Sequence, residues 1–221
     1  MGRERIPLIL ASASPRRKEI LEAHGYEPIV MPADVDEELP ADAAFTPEEA
    51  TIYLAELKAN AVFESLNAAD WPLGCAVLGV DTIVYKDKII GKPADEEDAL
   101  DILRSLKNAS HQVISGVCLI RAGDVGATSH WPRYRYHDRK SLGLLAPFLS
   151  IIEKTLFSDT TTVRFGDYTD EEILEYVRAN PPYDKSGSYA IQSAWGRHVL
   201  SVDGDIENVI GLPFEKLSAY L

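Results

Sequence analysis

Cysteine is scarce in this sequence of 221 residues, which contains only Cys75 and Cys118. The two lie far apart along the chain, and neither belongs to a paired-cysteine motif. A disulfide framework or a zinc site is therefore not expected. We expect two reduced thiols that are largely buried.

Long hydrophobic runs and excess positive charge are also absent. No apolar stretch approaches the roughly 18 residues that cross a membrane, and the first residues, MGRERIPLIL, lack the pattern of a signal peptide. The chain has 22 basic and 35 acidic residues, a formal net charge of −13. This balance repels nucleic acids and anionic lipids, so a phosphate ligand must meet a local basic cluster. We expect a cytoplasmic protein without nucleic-acid or membrane partners.

Short apolar runs alternate with amphipathic segments along most of the chain, a pattern typical of an α/β fold. Strands are predicted at PLILA, YEPIVMP, AVLGVDTIVY, HQVISGVCLIR, TTTVRF and HVLSVDG. Helices are predicted to begin after the N-cap residues Ser14, Thr46, Asp95 and Thr169. The helix after Thr46 is predicted to bury a stripe formed by Ala50, Tyr53, Leu54, Leu57 and Ala61, with Lys58 at its margin.

One connection is unusually long. Residues 122–159 separate HQVISGVCLIR from its predicted partner TTTVRF and include the basic aromatic stretch HWPRYRYHDRK. A connection of this length in a compact domain is usually functional or an added subelement. Three interpretations stay open: an extension of the fold, a contact between two copies in a homodimer, and a lid over a substrate.

The first predicted strand passes into the first helix through ASASPRR, which combines two serines with two arginines. Backbone N–H groups at a helix start are unpaired and attract anions, and Ser12 and Ser14 add hydroxyl donors. Arg16 and Arg17 lie where the helix dipole disfavours cations unless an anion offsets them. This turn predicts a phosphate site, and its alternative is a solvated basic helix start with a serine cap. Neither a Walker A motif nor the dinucleotide glycine pattern is present.

Asp81 is a second anomaly, because it interrupts the apolar strand AVLGVDTIVY. An unpaired carboxylate in an apolar interior costs several kcal/mol, so a cation, a metal ion or a polar cleft is expected beside it. The alternative is a position at a strand end, where the carboxylate caps a neighbouring loop. Glu37, Lys58 and Lys92 carry charges that a metal ion and a polyphosphate would need, although each alone is more typical of a solvated surface.

The segments LASASPRR, LAELKA, GVDTIVY, IIGKP, HQVISGV, DKSGSYAIQ and NVIGLP occur in an order that resembles the Maf family of nucleoside triphosphate pyrophosphatases. The resemblance covers most of the chain outside the long connection. It implies an α/β fold in which a mixed β-sheet with flanking helices forms two lobes around a central nucleotide cleft. One domain would span residues 1–221, with 122–159 as an insertion within it.

The resemblance also implies an activity, the release of pyrophosphate from a nucleoside triphosphate with Mg²⁺ or Mn²⁺ as the cofactor. The branch that it indicates hydrolyses dTTP and UTP, and related modified pyrimidine nucleotides are further candidates. An alternative is a nucleotide-binding regulator of cell division that needs no turnover. In both cases the expected partner is a nucleoside triphosphate.

Residue by residue, the resemblance assigns Asp81 as the catalytic proton acceptor that activates water. It matches Arg16, Thr82 and Gln192 to positions that distinguish substrate classes. It also matches Ser12, Arg17, Lys58, Lys92 and Lys185 to further cleft positions that contact phosphate or metal, and we assign these residues to phosphate. The chemistry of the first turn adds Ser14 as a phosphate contact. A metal ion is assigned to Glu37 and Asp81, because hard divalent ions prefer carboxylate oxygen. Ser186 stands where the family usually has alanine, a departure that leaves the glycine after it intact.

Overall fold

The computed structural model describes residues 7–40, 43–66, 75–123 and 151–221. Within these ranges the strands are β1 Leu8–Leu10, β2 Ile29–Val30, β3 Ala76–Lys86, β4 Lys88–Ile90, β5 Ser110–Gly123, β6 Ile151–Phe165 and β7 Val199–Asp203. The helices are α1 Pro15–Ala23, α2 Pro47–Ser65, α3 Glu96–Leu106, α4 Asp170–Ala179, α5 Ile206–Ile210 and α6 Phe214–Leu217. The strands form one mixed sheet in the order β2-β1-β3-β5-β6-β7, and β4 pairs with β3. The predicted α/β fold is confirmed.

The long helices begin where their caps predict. Thr46 and Thr169 each form a capping box with a glutamate three residues later, and Asp95 accepts a hydrogen bond from the backbone N–H of Asp98. α1 follows Ser14 with proline at its first position, but the Ser14 side chain makes no capping hydrogen bond. The Ser14 hydroxyl is therefore not bonded to a backbone N–H at the helix start. No described helix combines the length and the apolar composition that a membrane crossing needs.

The sheet opens along one edge of β3. Over residues 76–78 this edge pairs in parallel with β1, and over residues 84–86 it pairs with β4 in the antiparallel sense. Between these partners, residues 79–83 have no strand neighbour on that edge in the described part of the chain. The other edge pairs continuously with β5, which places Asp81 opposite Gly116 and Thr82 opposite Ser115. Asp81 and Thr82 therefore lie in a gap of the sheet, where a ligand can approach the strand.

The hydrophobic cores lie on both sides of this gap. On β3, Leu78 belongs to a cluster with α1 and the C-terminal helices on one face of the sheet, whereas Val77 packs with α2 on the other face. Adjacent strand residues point to opposite faces, so this alternation is expected. Further along the strand, Val84 joins a third cluster with α3 and α4. The cores before and after Asp81 are the two lobes of the expected fold, with the gap between them.

α2 packs closely against the sheet and buries a stripe that differs from the predicted one. Its buried residues are Ala50, Thr51, Leu54, Ala55, Lys58, Ala59 and Val62, while Tyr53, Leu57 and Ala61 are only partly buried. The cause is two glycines on the strands beneath it. A Cβ on Gly79 would lie 2.1 Å from the carbonyl oxygen of Ala55, and one on Gly116 would lie 2.2 Å from the carbonyl carbon of Thr51. Lys58 consequently lies inside the protein, 8% exposed, and not at the margin of the stripe.

The described part of the long connection is strand. The antiparallel ladder between β5 and β6 runs from Ser110 opposite Arg164 to Gly123 opposite Ile151. Residues 151–159, which the sequence assigns to the connection, are strand because the pairing with β5 continues through them. Residues 124–150, with the stretch HWPRYRYHDRK, lie outside the described residues. The three interpretations of this segment, a homodimer contact among them, and the division into one domain with an insertion stay predictions.

Both cysteines are free and buried, as predicted. Desolvation raises the pKa of the Cys75 thiol and of the Cys118 thiol to about 12. Both thiols are therefore neutral near pH 7, and they pack as small apolar side chains.

Candidate active site

A cleft of about 590 Å³ enters the gap beside β3. It is bounded by the turn from β1 into α1, the loop after β2, the buried face of α2, the segment after β4 and the loop 183–192. All site residues predicted from the sequence line this cleft, and they are Ser12, Ser14, Arg16, Arg17, Glu37, Lys58, Asp81, Thr82, Lys92, Lys185 and Gln192. Residues far apart in the sequence thus converge on one cavity.

Asp81 lies at the floor of the cleft as one partner of a buried ion pair. Its Oδ1 atom is 2.7 Å from Nζ of Lys58, and each side chain is only 10% exposed. The expectation that a cation compensates the buried carboxylate is met by this lysine. The alternative position at a strand end is wrong, because Asp81 lies in the middle of β3.

Glu37 contacts the same ammonium, with 2.9 Å between Oε2 and Nζ of Lys58. Partial burial opposes ionisation of Glu37, but the hydrogen bond and charge of Lys58, with the charges of Lys92 and Arg17, outweigh that effect. They hold the pKa of Glu37 below its ordinary value. Lys58, predicted as a phosphate ligand, is thus paired with two carboxylates.

The two carboxylates fit a divalent cation. Both contact one ammonium, so they lie close enough together to share one positive charge. Mg²⁺ is commonly held by one or two carboxylates together with substrate phosphates and water. No group of three or more acidic, histidine or cysteine side chains suited to a metal ion occurs in the described ranges. A metal ion at this place would therefore need the phosphates of a ligand as further ligands.

Arg17 lies on the opposite wall and is held in one orientation. Its Nε donates to the carbonyl oxygen of Gly211 at 2.9 Å, its Nη1 to Ser12 Oγ at 2.8 Å and its Nη2 to Thr82 Oγ1 at 3.2 Å. Ser12 Oγ also accepts from the backbone N–H of Ser14 at 3.2 Å. Desolvation lowers the pKa of Arg17 from its ordinary value, and the Asp81 charge partly offsets that effect. A desolvated guanidinium in this position favours an anionic ligand.

Arg16 reaches across the cleft to the loop 183–192. Its Nη1 is 3.1 Å from Oδ2 of Asp184, and Lys185 contacts the other oxygen of that carboxylate. Partial burial raises the pKa of Asp184, but its bonds to Lys185 and Arg16 outweigh this and lower the pKa below its ordinary value. The sequence analysis did not select Asp184, although its position before Lys185 in DKSGSYAIQ was a usable signal. Arg16 and Lys185 both pair with this carboxylate, and a phosphate could replace it as their partner.

The loop 183–192 is anchored by contacts that the sequence does not reveal. Gly187 has φ +75°, and a Cβ there would lie 2.7 Å from Cγ2 of Val84. Its N–H donates to the carbonyl oxygen of Gly91 at 3.2 Å, and Ser186 Oγ donates to that of Thr82 at the same distance. This loop is thereby fixed to β3 and to the segment that carries Lys92.

A buried hydrogen bond of 2.8 Å joins Tyr189 Oη in this loop to Nε2 of His111 on β5. Lys185 is partly buried between these anchors, whereas Lys92 and Gln192 are exposed at the rim of the cleft. The loop therefore presents one cation and one amide to a ligand from a fixed backbone. The assignment of Arg16, Thr82 and Gln192 to substrate selection stays a prediction.

Comparison with known proteins identifies the family of this chain. Residues 7–221 match the family described as Maf-like protein. This chain belongs to the Maf family. It is 38% identical over 216 residues to a dTTP/UTP pyrophosphatase of Exiguobacterium sibiricum, a match that covers 97% of this chain and 91% of the relative.

Two further relatives come from other organisms. The chain is 35% identical over 209 residues to a dTTP/UTP pyrophosphatase of Thermococcus gammatolerans, covering 94% of this chain and 91% of the relative. It is 37% identical over 209 residues to a protein of the same name from Desulfitobacterium hafniense, covering 94% of this chain and 81% of the relative. The resemblance drawn from the ordered motifs is confirmed.

Proposed function

We propose that this Maf-family protein is a nucleoside triphosphate pyrophosphatase that hydrolyses dTTP and UTP to the monophosphate and pyrophosphate. One observation carries the proposal: a buried carboxylate, Asp81, lies at the floor of a cleft whose walls carry cations from four separate elements. A triphosphate needs such cations, and hydrolysis needs a base beside the phosphorus that is attacked. The names of the relatives support the choice of substrate.

In the proposed reaction, a water molecule loses a proton to the Asp81 carboxylate and attacks the α-phosphorus. The bond from that phosphorus to the bridging oxygen of the β-phosphate breaks, and pyrophosphate leaves with the bonding electrons. The contact with Lys58, 2.7 Å between Nζ and Oδ1, holds the Asp81 carboxylate in place for this step. Because this base is only 10% exposed, few bulk water molecules reach it.

The cations of the cleft hold the leaving phosphates. Three protein acceptors orient Arg17, so little ordering of its side chain is needed on binding. Arg16 and Lys185 release the Asp184 carboxylate and bind phosphate oxygens in its place. Lys92, in the segment after β4, binds phosphate from the rim of the cleft. The Ser12 and Ser14 hydroxyls line the same wall.

A divalent ion, Mg²⁺ or Mn²⁺, would be held by Glu37, Asp81 and the substrate phosphates. When bound, it neutralises charge that develops on the leaving pyrophosphate. Glu37 is suited to this role because its lowered pKa keeps it ionised well below neutral pH.

The nucleobase of the substrate lies toward Gln192 in this proposal. A carboxamide both donates and accepts hydrogen bonds, as the N3–H and carbonyl groups of uracil and thymine require. Gln192 is exposed at the rim, where a base can reach it. Modified uracil nucleotides keep these groups, so the same contacts support them as substrates.

The nucleotide is the partner proposed for this cleft. The formal net charge of −13 supports our prediction that neither nucleic acid nor a membrane is a partner. Two buried free thiols support the cytoplasm as the predicted location. A homodimer stays a prediction.

The experiment is an assay of purified protein against a panel of ordinary and modified nucleoside triphosphates, with and without Mg²⁺ or Mn²⁺. We expect equal amounts of monophosphate and pyrophosphate from dTTP and UTP, and much slower release from GTP and ATP. Orthophosphate as the first product would contradict the proposal. Tight nucleotide binding without any product would instead favour the regulator of cell division. Similar rates of pyrophosphate release from nucleotides with different nucleobases would remove Gln192 from substrate selection.

A further inference from the structure

The hydroxyl of Tyr176 holds the turn that carries Gln192. Tyr176 lies on α4, is 6% exposed and is not among the residues that line the cleft. Its Oη accepts a hydrogen bond of 3.0 Å from the backbone N–H of Ala190, which shortly precedes Gln192 in the chain. A side chain outside the cleft therefore fixes the backbone that carries a predicted selectivity residue.

The turn itself is closed by Ser193. The backbone N–H of Ser193 donates to the carbonyl oxygen of Ala190 at 3.0 Å, and its hydroxyl donates to the same oxygen at 2.7 Å. A Cβ on Gly196 would lie 2.2 Å from the carbonyl oxygen of Ile191, so the following turn packs directly against this one. The backbone of residues 190–193 is thus held tightly, although the Gln192 side chain is exposed at the rim.

The part of the loop that carries Lys185 is anchored elsewhere. Ser186 and Gly187 bond to backbone carbonyl oxygens of β3 and of the segment after β4. Tyr189, further along the loop, bonds to His111 on β5. None of these bonds involves the tyrosine on α4, so the hydroxyl of that tyrosine acts on the end of the loop that carries the glutamine.

The ring of Tyr176 has its own packing, which does not depend on the hydroxyl. It lies against the ring of Trp195, with 4.8 Å between the centroids, in the core cluster shared by α3 and α4. Tyr176→Phe therefore removes one hydrogen bond and keeps the ring. The N–H of Ala190 then loses its partner in a partly buried place, and the turn is free to move.

We infer that Tyr176 is a positioning residue that sets nucleobase selectivity by fixing the turn of Gln192. The inference rests on the proposed function in taking Gln192 as the residue that bonds to the nucleobase. A side chain that recognises a ligand must be held within about 0.5 Å of its productive position. A mobile turn would therefore lose the hydrogen bonds that favour uracil over guanine.

The test compares the affinities for UMP and GMP, measured by calorimetry, in wild type, Tyr176→Phe and Tyr168→Phe. Monophosphates carry the nucleobase and are not hydrolysed in the proposed reaction. We expect Tyr176→Phe to lower the preference for UMP over GMP about fivefold, the effect of one lost hydrogen bond. Tyr168→Phe is the matched control and should keep the preference of wild type. The Tyr168 hydroxyl lies in the same core cluster but donates to the carbonyl oxygen of Leu103 on α3.

Inorganic tripolyphosphate separates recognition of the nucleobase from binding of the phosphates. It carries no nucleobase, so we expect wild type and Tyr176→Phe to bind it equally. A double-mutant cycle tests whether the tyrosine acts through the glutamine. In a Gln192→Ala background, Tyr176→Phe should cause no further change in the preference for UMP.

Ser193→Ala is a second variant of the same turn, because it removes the hydroxyl bond to Ala190 and keeps Tyr176. It should also lower the preference for UMP. Unchanged preference in Tyr176→Phe and Ser193→Ala, or an equal loss in Tyr168→Phe, would overturn the inference. A full effect of Tyr176→Phe in the Gln192→Ala background would overturn it too.

The proposed function is judged separately, by release of pyrophosphate. Wild type that releases pyrophosphate but binds UMP and GMP equally would overturn the inference and leave the activity standing. Wild type that prefers UMP but hydrolyses no nucleotide would reject the proposed function, and loss of that preference in Tyr176→Phe would still support the inference.

Discussion

Lys58 and Asp81 form an ion pair with 2.7 Å between Nζ and Oδ1, and both side chains are 10% exposed. Removal of one partner from such a pair leaves an uncompensated charge in the interior. The pair therefore contributes to the fold as well as to the chemistry proposed for the cleft.

Lys58→Met should lower the free energy of unfolding by about 3 kcal/mol, because it leaves Asp81 and Glu37 close together without their shared cation. The measurement is equilibrium urea denaturation. The double variant Lys58→Met with Asp81→Asn should recover part of the loss, since the buried charge is then gone. Lys18→Met is the control, because Lys18 forms an exposed pair with Glu22 and should cost less than about 0.5 kcal/mol. Equal effects of the two lysine variants would contradict this account.

Asp81→Asn should reduce turnover of dTTP by about 10² or more, because an amide cannot accept the proton of the attacking water. Binding of dTTP, measured by calorimetry, should change little, since the cations for phosphate stay in place. Asp87→Asn is the matched control. Asp87 is exposed in the turn after β3 with φ +59°, a conformation that asparagine also tolerates. Full turnover in Asp81→Asn would remove Asp81 from the role of base.

Glu37→Gln should raise the Mg²⁺ concentration needed for half-maximal activity by about tenfold, because one carboxylate ligand becomes a weaker neutral ligand. The measurement is the initial rate of pyrophosphate release at increasing Mg²⁺. Glu38→Gln removes a neighbouring charge of the same loop that does not line the cleft, and should leave the requirement unchanged. A parallel shift in both variants would assign the effect to general electrostatics.

The sequence could predict the ends of the helices and the unusual position of Asp81 from local chemistry, whereas most residues of the cleft were assigned through the resemblance to the Maf family. A capping box at Thr46 is complete within a few residues. The carboxylate of Asp81 inside an apolar strand indicates by itself that a compensating partner is needed. The partner of Asp81 could not be derived in the same way. Lys58 is buried only because α2 approaches the strands through Gly79 and Gly116, a contact between distant segments.

The contacts of Thr82 were hidden for a similar reason. Its environment depends on Ser115, which becomes a neighbour only through the register of β3 with β5. Asp184 likewise meets Arg16 only when the loop 183–192 folds back across the cleft. Polar contacts between segments far apart in sequence leave no periodic signal, so they need the structure.

Gly79→Ala should destabilise the protein by about 3 kcal/mol or more, because the added Cβ would overlap the α2 backbone, which cannot move without losing its packing. That Cβ would lie 2.1 Å from the carbonyl oxygen of Ala55. Gly91→Ala is the control, because a Cβ there meets no atom within 4 Å in the described structure. Thermal unfolding followed by circular dichroism measures both variants. Wild-type stability of Gly79→Ala would show that α2 lies further from the sheet.

His111 provides a prediction about pH. Burial, with a smaller contribution from the charge of Lys86, lowers the pKa of His111 from 6.5 to about 4. Between these values the unfolded chain binds a proton that the folded protein does not bind, so stability falls as the pH decreases through this range. Above about pH 6.5 the histidine is neutral in both states and contributes no pH dependence.

The free energy of unfolding should therefore fall by about 2 kcal/mol more in wild type than in His111→Gln when the pH decreases from about 7.5 to about 5. Glutamine removes the titrating group and can keep a hydrogen bond to Tyr189, and all other histidines are unchanged, so their effect cancels in the comparison. Urea denaturation at several pH values measures the difference. Parallel curves for the two proteins would mean that His111 takes up its proton as readily in the folded protein as in the unfolded chain. The hydrogen bond to Tyr189 could not then lie in the dry interior that these contacts describe.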